Sequence, residues 1–274
     1  MQKSIDVIFV RMSEKVGFVA ISNYEVYLKG MRRGLYDKLF FIDKVGTDIQ
    51  TIVDFGSADG YLSDIMANIF DCKVYGYDID PKMIETAKQN YTNPNLIFTD
   101  SFTDVPEQVD IIYASSLLHE VYSYGSPDSI EKFWVQLFEK SPRYVVIRDM
   151  IGDATMDRPS DRDDVRKVYR WAKEKHRERY LKEFELKVGS ISNNKNLIHF
   201  LLKHSYIDNW DREVRENYFP ITLQDLYASI SNDYDILYED HNNIVHLTQI
   251  WEKEFDIDVK DKTHIKLILK RCKN

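Results

Sequence analysis

Cysteine is scarce in this chain. Only Cys72 and Cys272 are present, far apart and outside any Cys-x-x-Cys pair. That speaks against a disulfide scaffold or a zinc ribbon and fits a reducing, cytoplasmic compartment. Ten glycines and seven prolines among 274 residues exclude collagen-like and low-complexity classes. Long apolar runs are missing too. Leu39-Phe40-Phe41-Ile42 is typical, whereas a membrane helix needs about 18–20 residues. The opening stretch, Met1-Gln2-Lys3-Ser4-Ile5-Asp6, carries no signal-peptide core. There is no basic excess: the net charge is −8. A chain coated in nucleic acid is therefore not expected, although a local basic patch remains open. His-x-His, His-Glu-x-x-His, the nucleophile elbow and the P-loop lysine are all absent, so no metal site is expected.

What is present is a sequence able to bury a core, 43% apolar and 13% aromatic. Residues 22–42 predict an amphipathic helix, with Tyr24, Tyr27, Leu28, Met31, Leu35 and Leu39 spaced three and four apart. Five strand-like runs follow: 51–55, 73–77, 95–99, 110–114 and 143–147. Several are nearly continuously apolar, as strands covered on both faces must be. Helical stretches at 61–70, 81–89 and 129–138 alternate with them, Asp80 and Pro81 opening the second as cap and first residue. Such alternation predicts an α/β doubly wound, mostly parallel sheet. After Ile151 it stops. Residues 153–221 are charged and mainly helical, and a capping box at Thr222-Leu223-Gln224-Asp225 marks the return. Two last strands are expected at 234–238 and 264–269. The expected division is an N-terminal helical segment (1–48), a core (49–152 and 222–274) and a helical cap inserted at 153–221.

One segment carries the chemistry: Val53-Asp54-Phe55-Gly56-Ser57-Ala58-Asp59-Gly60-Tyr61, between a strand and a helix. A glycine-rich turn there lets a ligand approach the backbone. Asp78 closes the second strand and Asp100 the third, so acidic groups converge on the carboxyl-end crevice where open sheets bind ligands. A dinucleotide fingerprint fails, because Ala58 and Tyr61 stand where its second and third glycines belong.

The ordered set resembles instead the class I S-adenosylmethionine-dependent methyltransferases. Their first motif reads Asp/Glu-x-Gly-x-Gly-x-Gly; Asp54, Gly56 and Gly60 match it, and Ala58 replaces the middle glycine. The resemblance implies a seven-stranded sheet in the order 3-2-1-4-5-7-6, the last strand antiparallel, and S-adenosylmethionine as methyl donor. It implies that the turn with Gly56, Ser57 and Gly60 wraps the methionine moiety, that Asp54 reaches its ammonium directly or through water, and that Asp78 holds the ribose. Ile79 and Met83 would pack on the adenine. Asp100 would accept from its amino group, with Ser101 and Phe102 reading the ring edge and Ser115 packing beside the donor.

After the fourth strand, Leu118-His119-Glu120 sits where the reactive methyl passes in the resembling families. His119 is a candidate base because imidazole titrates near neutrality, and Glu120 could share that role; the alternative is a helix cap and a solvated charge. Arg148 and Asp149, at the end of the fifth strand, either bind substrate or pair with one another. Residues 166–187 hold nine Lys/Arg against four acids. They read as one helix whose face is Val165, Val168, Tyr169, Ala172 and His176, either a solvated surface or a basic lid over a phosphorylated or nucleic-acid substrate. No Asp/Asn-Pro-Pro-Tyr/Phe follows the fourth strand; Ser115-Ser116-Leu117-Leu118 stands there, against DNA amino methylation. The expectation is methyl transfer to an oxygen or nitrogen of a small-molecule acceptor. An RNA methyltransferase using the basic helix, or a non-catalytic S-adenosylmethionine-binding module, are the alternatives.

Overall fold

A computed structural model describes residues 34–272. Most of the helix expected at 22–42 lies outside them; within them only α1 (Leu35–Lys38) is helical, followed by turns. The core then alternates as the apolar runs require: β1 (Thr51–Phe55), α2 (Tyr61–Phe70), β2 (Lys73–Tyr77), α3 (Pro81–Asn90), β3 (Leu96–Thr99) and β4 (Ile111–Ser115). Next come α4 (Leu118–Tyr124), α5 (Pro127–Glu139) and β5 (Tyr144–Met150). Asp80 caps α3 by accepting from Lys82 N–H, with Pro81 at the first helical position. Ser126 and Ser129 form a capping box on α5.

The intervening residues fold as α6 (Arg162–Glu174), α7 (Glu178–Lys187), α8 (Asn194–Lys203) and α9 (Trp210–Glu213). The basic stretch is thus two helices, not one. His176 takes a φ of 54° at the break, and Tyr169 is exposed, its hydroxyl donating to Glu185, while Val168 and Ala172 are buried. The chain returns through α10 (Leu223–Ala228), with the Thr222–Asp225 capping box in place. It ends with β6 (Tyr234–Asn242), α11 (Val245–Phe255) and β7 (His264–Arg271).

The sheet has seven strands in the order β3-β2-β1-β4-β5-β7-β6. The first five are parallel, and β7 runs antiparallel to both β5 and β6. All seven residues of β5 are buried, as a strand covered on both faces must be. On one face Met66 and Ala67 of α2 and Phe41 cover Ile52, Ile111 and Val146. On the other, Leu118, Phe133, Leu137 and Leu226 cover Val53, Ile112 and Leu267. The strand order reverses between β1 and β4, which leaves a crevice at their carboxyl ends.

A third apolar cluster belongs to the inserted helices: Val168, Trp171, Leu181, Phe184 and Leu201. Leu247, Trp251 and Phe255 of α11 complete it. This helix escapes a strand-centred reading of the sequence and joins the insert rather than the sheet. Trp251 is fully buried, and its indole N–H donates to the Leu201 carbonyl at 2.9 Å. Trp251→Ala should therefore cost about 3–5 kcal/mol, the range for deleting a buried aromatic. Urea denaturation checks this.

Candidate active site

The crevice opens into a cavity of about 1050 Å³, at the upper end of ordinary ligand pockets. Its first wall is built on β1 and β2. Gly56 leaves β1 with φ 85° and Gly60 enters α2 with φ 82°. A Cβ on Gly60 would meet the Phe98 ring at 2.6 Å, so both φ and space demand glycine. Between them Ala58 also takes a left-handed φ, 46°. The alanine has kept the backbone that the missing glycine would adopt. Asp78, at the end of β2, holds this turn: Oδ2 accepts from Ala58 N–H at 2.9 Å and Oδ1 from Asp80 N–H at 2.9 Å. Burial, its largest influence, raises the Asp78 pKa to about 6.

Gly56, Asp78, Ile79 and Met83 line the cavity, as do Asp100, Ser101 and Phe102 beyond β3. Asp54, Ser57 and Gly60 lie behind the wall. Asp54 is buried, its Oδ2 accepts from the Ser63 hydroxyl at 2.6 Å, and burial raises its pKa to about 6. An aromatic floor that the sequence reading passed over also lines the space. The Phe55 ring meets Tyr77, Phe102 and Phe133 at 4.9, 5.5 and 5.6 Å between centroids. An acid-edged cleft over an aromatic floor, closed by a left-handed turn, suits a nucleoside joined to an amino acid.

The second wall is built where β4 and β5 end. Ser115, His119, Glu120 and Arg148 line it. Arg148 and Asp149 do not pair with one another. Arg148 Nε donates to Asp37 and one terminal nitrogen donates to Ser116 Oγ, at 2.8 and 2.9 Å. Asp149 is 1% exposed. Its Oδ2 accepts from Leu118 N–H at 2.6 Å, and its Oδ1 from His119 Nδ1 and Met150 N–H, both at 2.7 Å. Asp149 therefore caps α4, and His119 sits inside the helix rather than capping it. A carboxylate can only accept, so Nδ1 carries a proton and Nε2 is the atom free to gain or lose one.

Burial, the strongest influence on His119, depresses its pKa. The Asp149, Glu216 and Glu120 carboxylates more than offset this and raise it to about 8. Glu120 is raised in turn, mainly by burial, although Arg212 pairs with it at 2.5 Å. Arg212 also holds Glu216 at 2.7 Å, and the Tyr124 hydroxyl donates to Glu216 at 3.2 Å. His119, Glu120 and Glu216 bring donor atoms within 4.8 Å of one another, close enough to hold a metal ion. Local spacing could not reveal this group, since Glu216 arrives from the insert. Arg212 already supplies a positive charge to both carboxylates. No residue of 166–187 lines the cavity; the basic stretch is not a lid over it. Among the described residues, no helix is long and apolar enough to cross a membrane.

Residues 53–137, which span the glycine turn, Asp78, Asp100 and His119, match the family model of a methyltransferase domain. That segment is a match to a methyltransferase domain, and the fold around it is shared with solved structures. A candidate S-adenosylmethionine-dependent methyltransferase from Listeria monocytogenes shares the fold. It has a TM-score of 0.51 and 14% identity, over 88% of this chain and 100% of that one. A SAM-dependent methyltransferase from Anabaena variabilis shares it too, with a TM-score of 0.50 and 12% identity, over 98% and 94%. No curated protein sequence matches the chain. The cavity's donor set fits S-adenosylmethionine: a buried acid at a strand end and a turn held in a left-handed path between two glycines.

The imidazole gives a testable titration. Its pKa is raised above the ordinary 6.5. The stability gained from the charged His119–Asp149 pair is therefore fully present below pH 6.5 and is lost as pH rises through about 8. By NMR, His119 should titrate near 8, and in Asp149→Asn its pKa should fall toward 6.5 or lower.

Proposed function

We propose that this protein transfers the methyl group of S-adenosylmethionine to an oxygen or nitrogen nucleophile of a small-molecule acceptor, with His119 as the base. The observation that carries the reading is the buried His119 imidazole on the cavity wall, held through Nδ1 by Asp149 at 2.7 Å. S-adenosylmethionine, when bound, supplies a methyl group already activated by its positive sulfur. The chain's residues have to seat it, align the acceptor and remove one proton.

Seating falls to the first wall. The turn carrying Gly56, Ser57 and Gly60 takes the methionine moiety, with Asp54 behind it answering the ammonium through water. Asp78 accepts from the ribose hydroxyls. Ile79 and Met83 pack on the adenine, Asp100 accepts from its amino group, and Ser101 and Phe102 border the ring edge. Ser115 packs beside the reacting centre.

Proton removal falls to His119 Nε2. A conjugate acid near pH 8 makes a stronger base than an ordinary imidazole, at the expense of being mostly protonated at neutral pH. Asp149 acts through the imidazole as a positioning residue. Glu120, tied to Arg212, stands beside the ring, and Arg148 borders the acceptor space. The acceptor is small because that space ends on Leu202, Tyr206, Tyr218, Ile244 and Leu247. These apolar and aromatic walls belong to the inserted helices and α11, which act as a cap.

The test is His119→Ala. Turnover should fall about 10²–10⁴-fold, the usual contribution of a general base. The wild-type rate should climb with pH and level off above about 8, and the variant should lose that climb. Unchanged turnover in the variant would end the assignment.

A further inference from the structure

We propose that Lys38 binds the carboxylate of the donor's amino-acid head group, opposite Asp54, which answers its ammonium. The proposal rests on the donor reading above and names a residue outside every motif that led to it.

Lys38 closes α1, is 5% exposed and lines the cavity. The Tyr113 hydroxyl donates to its carbonyl at 3.1 Å, so the helix end is anchored on the sheet and the side chain leaves from a fixed base. Among the described residues no hydrogen bond or ion pair reaches its Nζ. The charged groups around it are Arg148, Asp54, Asp149 and Asp37. Each of those acids is engaged elsewhere. Asp37 holds Arg148 at 2.8 Å and Lys266 at 2.5 Å. Asp149 takes His119 and two backbone N–H groups. Asp54 takes the Ser63 hydroxyl. A buried ammonium is stabilised only when an anion and hydrogen bonds replace its lost hydration. This one is an anion short, and it faces a cavity. Burial pulls its pKa down to about 8, which leaves it charged at neutral pH.

The chemistry of the missing anion follows from what stands nearby. An α-amino acid head carries ammonium and carboxylate on one carbon, so its two counter-charges must stand side by side with opposite signs. Asp54 and Lys38 are charge neighbours, one acid at the end of β1 and one base at the end of α1. Asp54 lies two residues before Gly56, and Lys38 lines the same cavity as Gly56. Ribose and adenine offer no anion, and the acceptor side of the cavity is already edged by Glu120 and Glu216.

Calorimetry separates this from a merely structural lysine. The ligands are S-adenosylhomocysteine and its decarboxylated analogue, which keeps the adenosine, thioether and amine. The wild type should prefer the carboxylate-bearing ligand by about tenfold or more, the worth of one charge-assisted hydrogen bond. In Lys38→Met that preference should fall to near unity, because S-adenosylhomocysteine weakens while the analogue holds; Lys38→Arg should restore part of it. Thermal unfolding of the free Lys38→Met protein should be no earlier than wild type, since an unpaired buried charge has gone. A Lys38→Met protein that keeps the wild-type preference overturns the proposal, as does one that weakens both ligands alike. A wild type that binds neither ligand overturns the donor reading itself.

Discussion

One buried carboxylate organises the side of the cavity built where β4 and β5 end. Asp149 ends a strand buried along its whole length, and it accepts from one imidazole and two backbone N–H groups. A carboxylate removed from water needs that many donors to stay charged. The first N–H it satisfies belongs to α4, a seven-residue helix that opens on Leu117 and has no polar side chain of its own as a cap. The same oxygens fix the tautomer and orientation of His119. Strand end, helix start and imidazole are therefore one unit. It is also the point at which the inserted helices attach, because Arg212 reaches across to Glu120 beside the ring.

The wall built on β1 and β2 obeys a different constraint, set by backbone conformation. Three residues near the turn, Gly56, Ala58 and Gly60, take left-handed φ values. Only glycine does so without cost, and Ala58 is tolerated because Asp78 accepts from its N–H. The departure from the glycine motif is thus a change of side chain without a change of path. Both walls meet where the strand order reverses, the one place in a parallel sheet where neighbouring loops diverge and leave a gap.

What the sequence revealed follows from distance along the chain. Strands β1 to β5 were legible because each is a short apolar run closed by a polar residue. The caps on α3 and α10 were legible because cap and capped N–H lie within three residues. Helix α4 was not, since its cap is 31 residues downstream. The break at His176 was hidden because an apolar spacing can run on past a turn. Helix α11 did leave a trace, in Leu247, Trp251 and Phe255 at intervals of four, which a search for strands overlooked. The aromatic floor looked like ordinary core. Glu216 and Arg212 carried no signal, because they meet Glu120 only through the fold. Lys38 carried a faint one: a lysine three residues after Leu35 and seven after Met31, within an apolar stripe.

The shared core of the insert and α11 limits how the protein can breathe. A lid on a single tether swings on its hinge, but the inserted helices are tied to the sheet through β5 at their start and through α10 and β6 at their end, and they share a core with α11, which runs between β6 and β7. Lifting the inserted helices alone would tear Leu201 from Trp251 and uncover the core they share with α11. Traffic of donor and spent product must then pass sideways, along the open lip where Ile79 and Asp100 face solvent. Exchange should accordingly be quick on that flank and slow beneath the inserted helices.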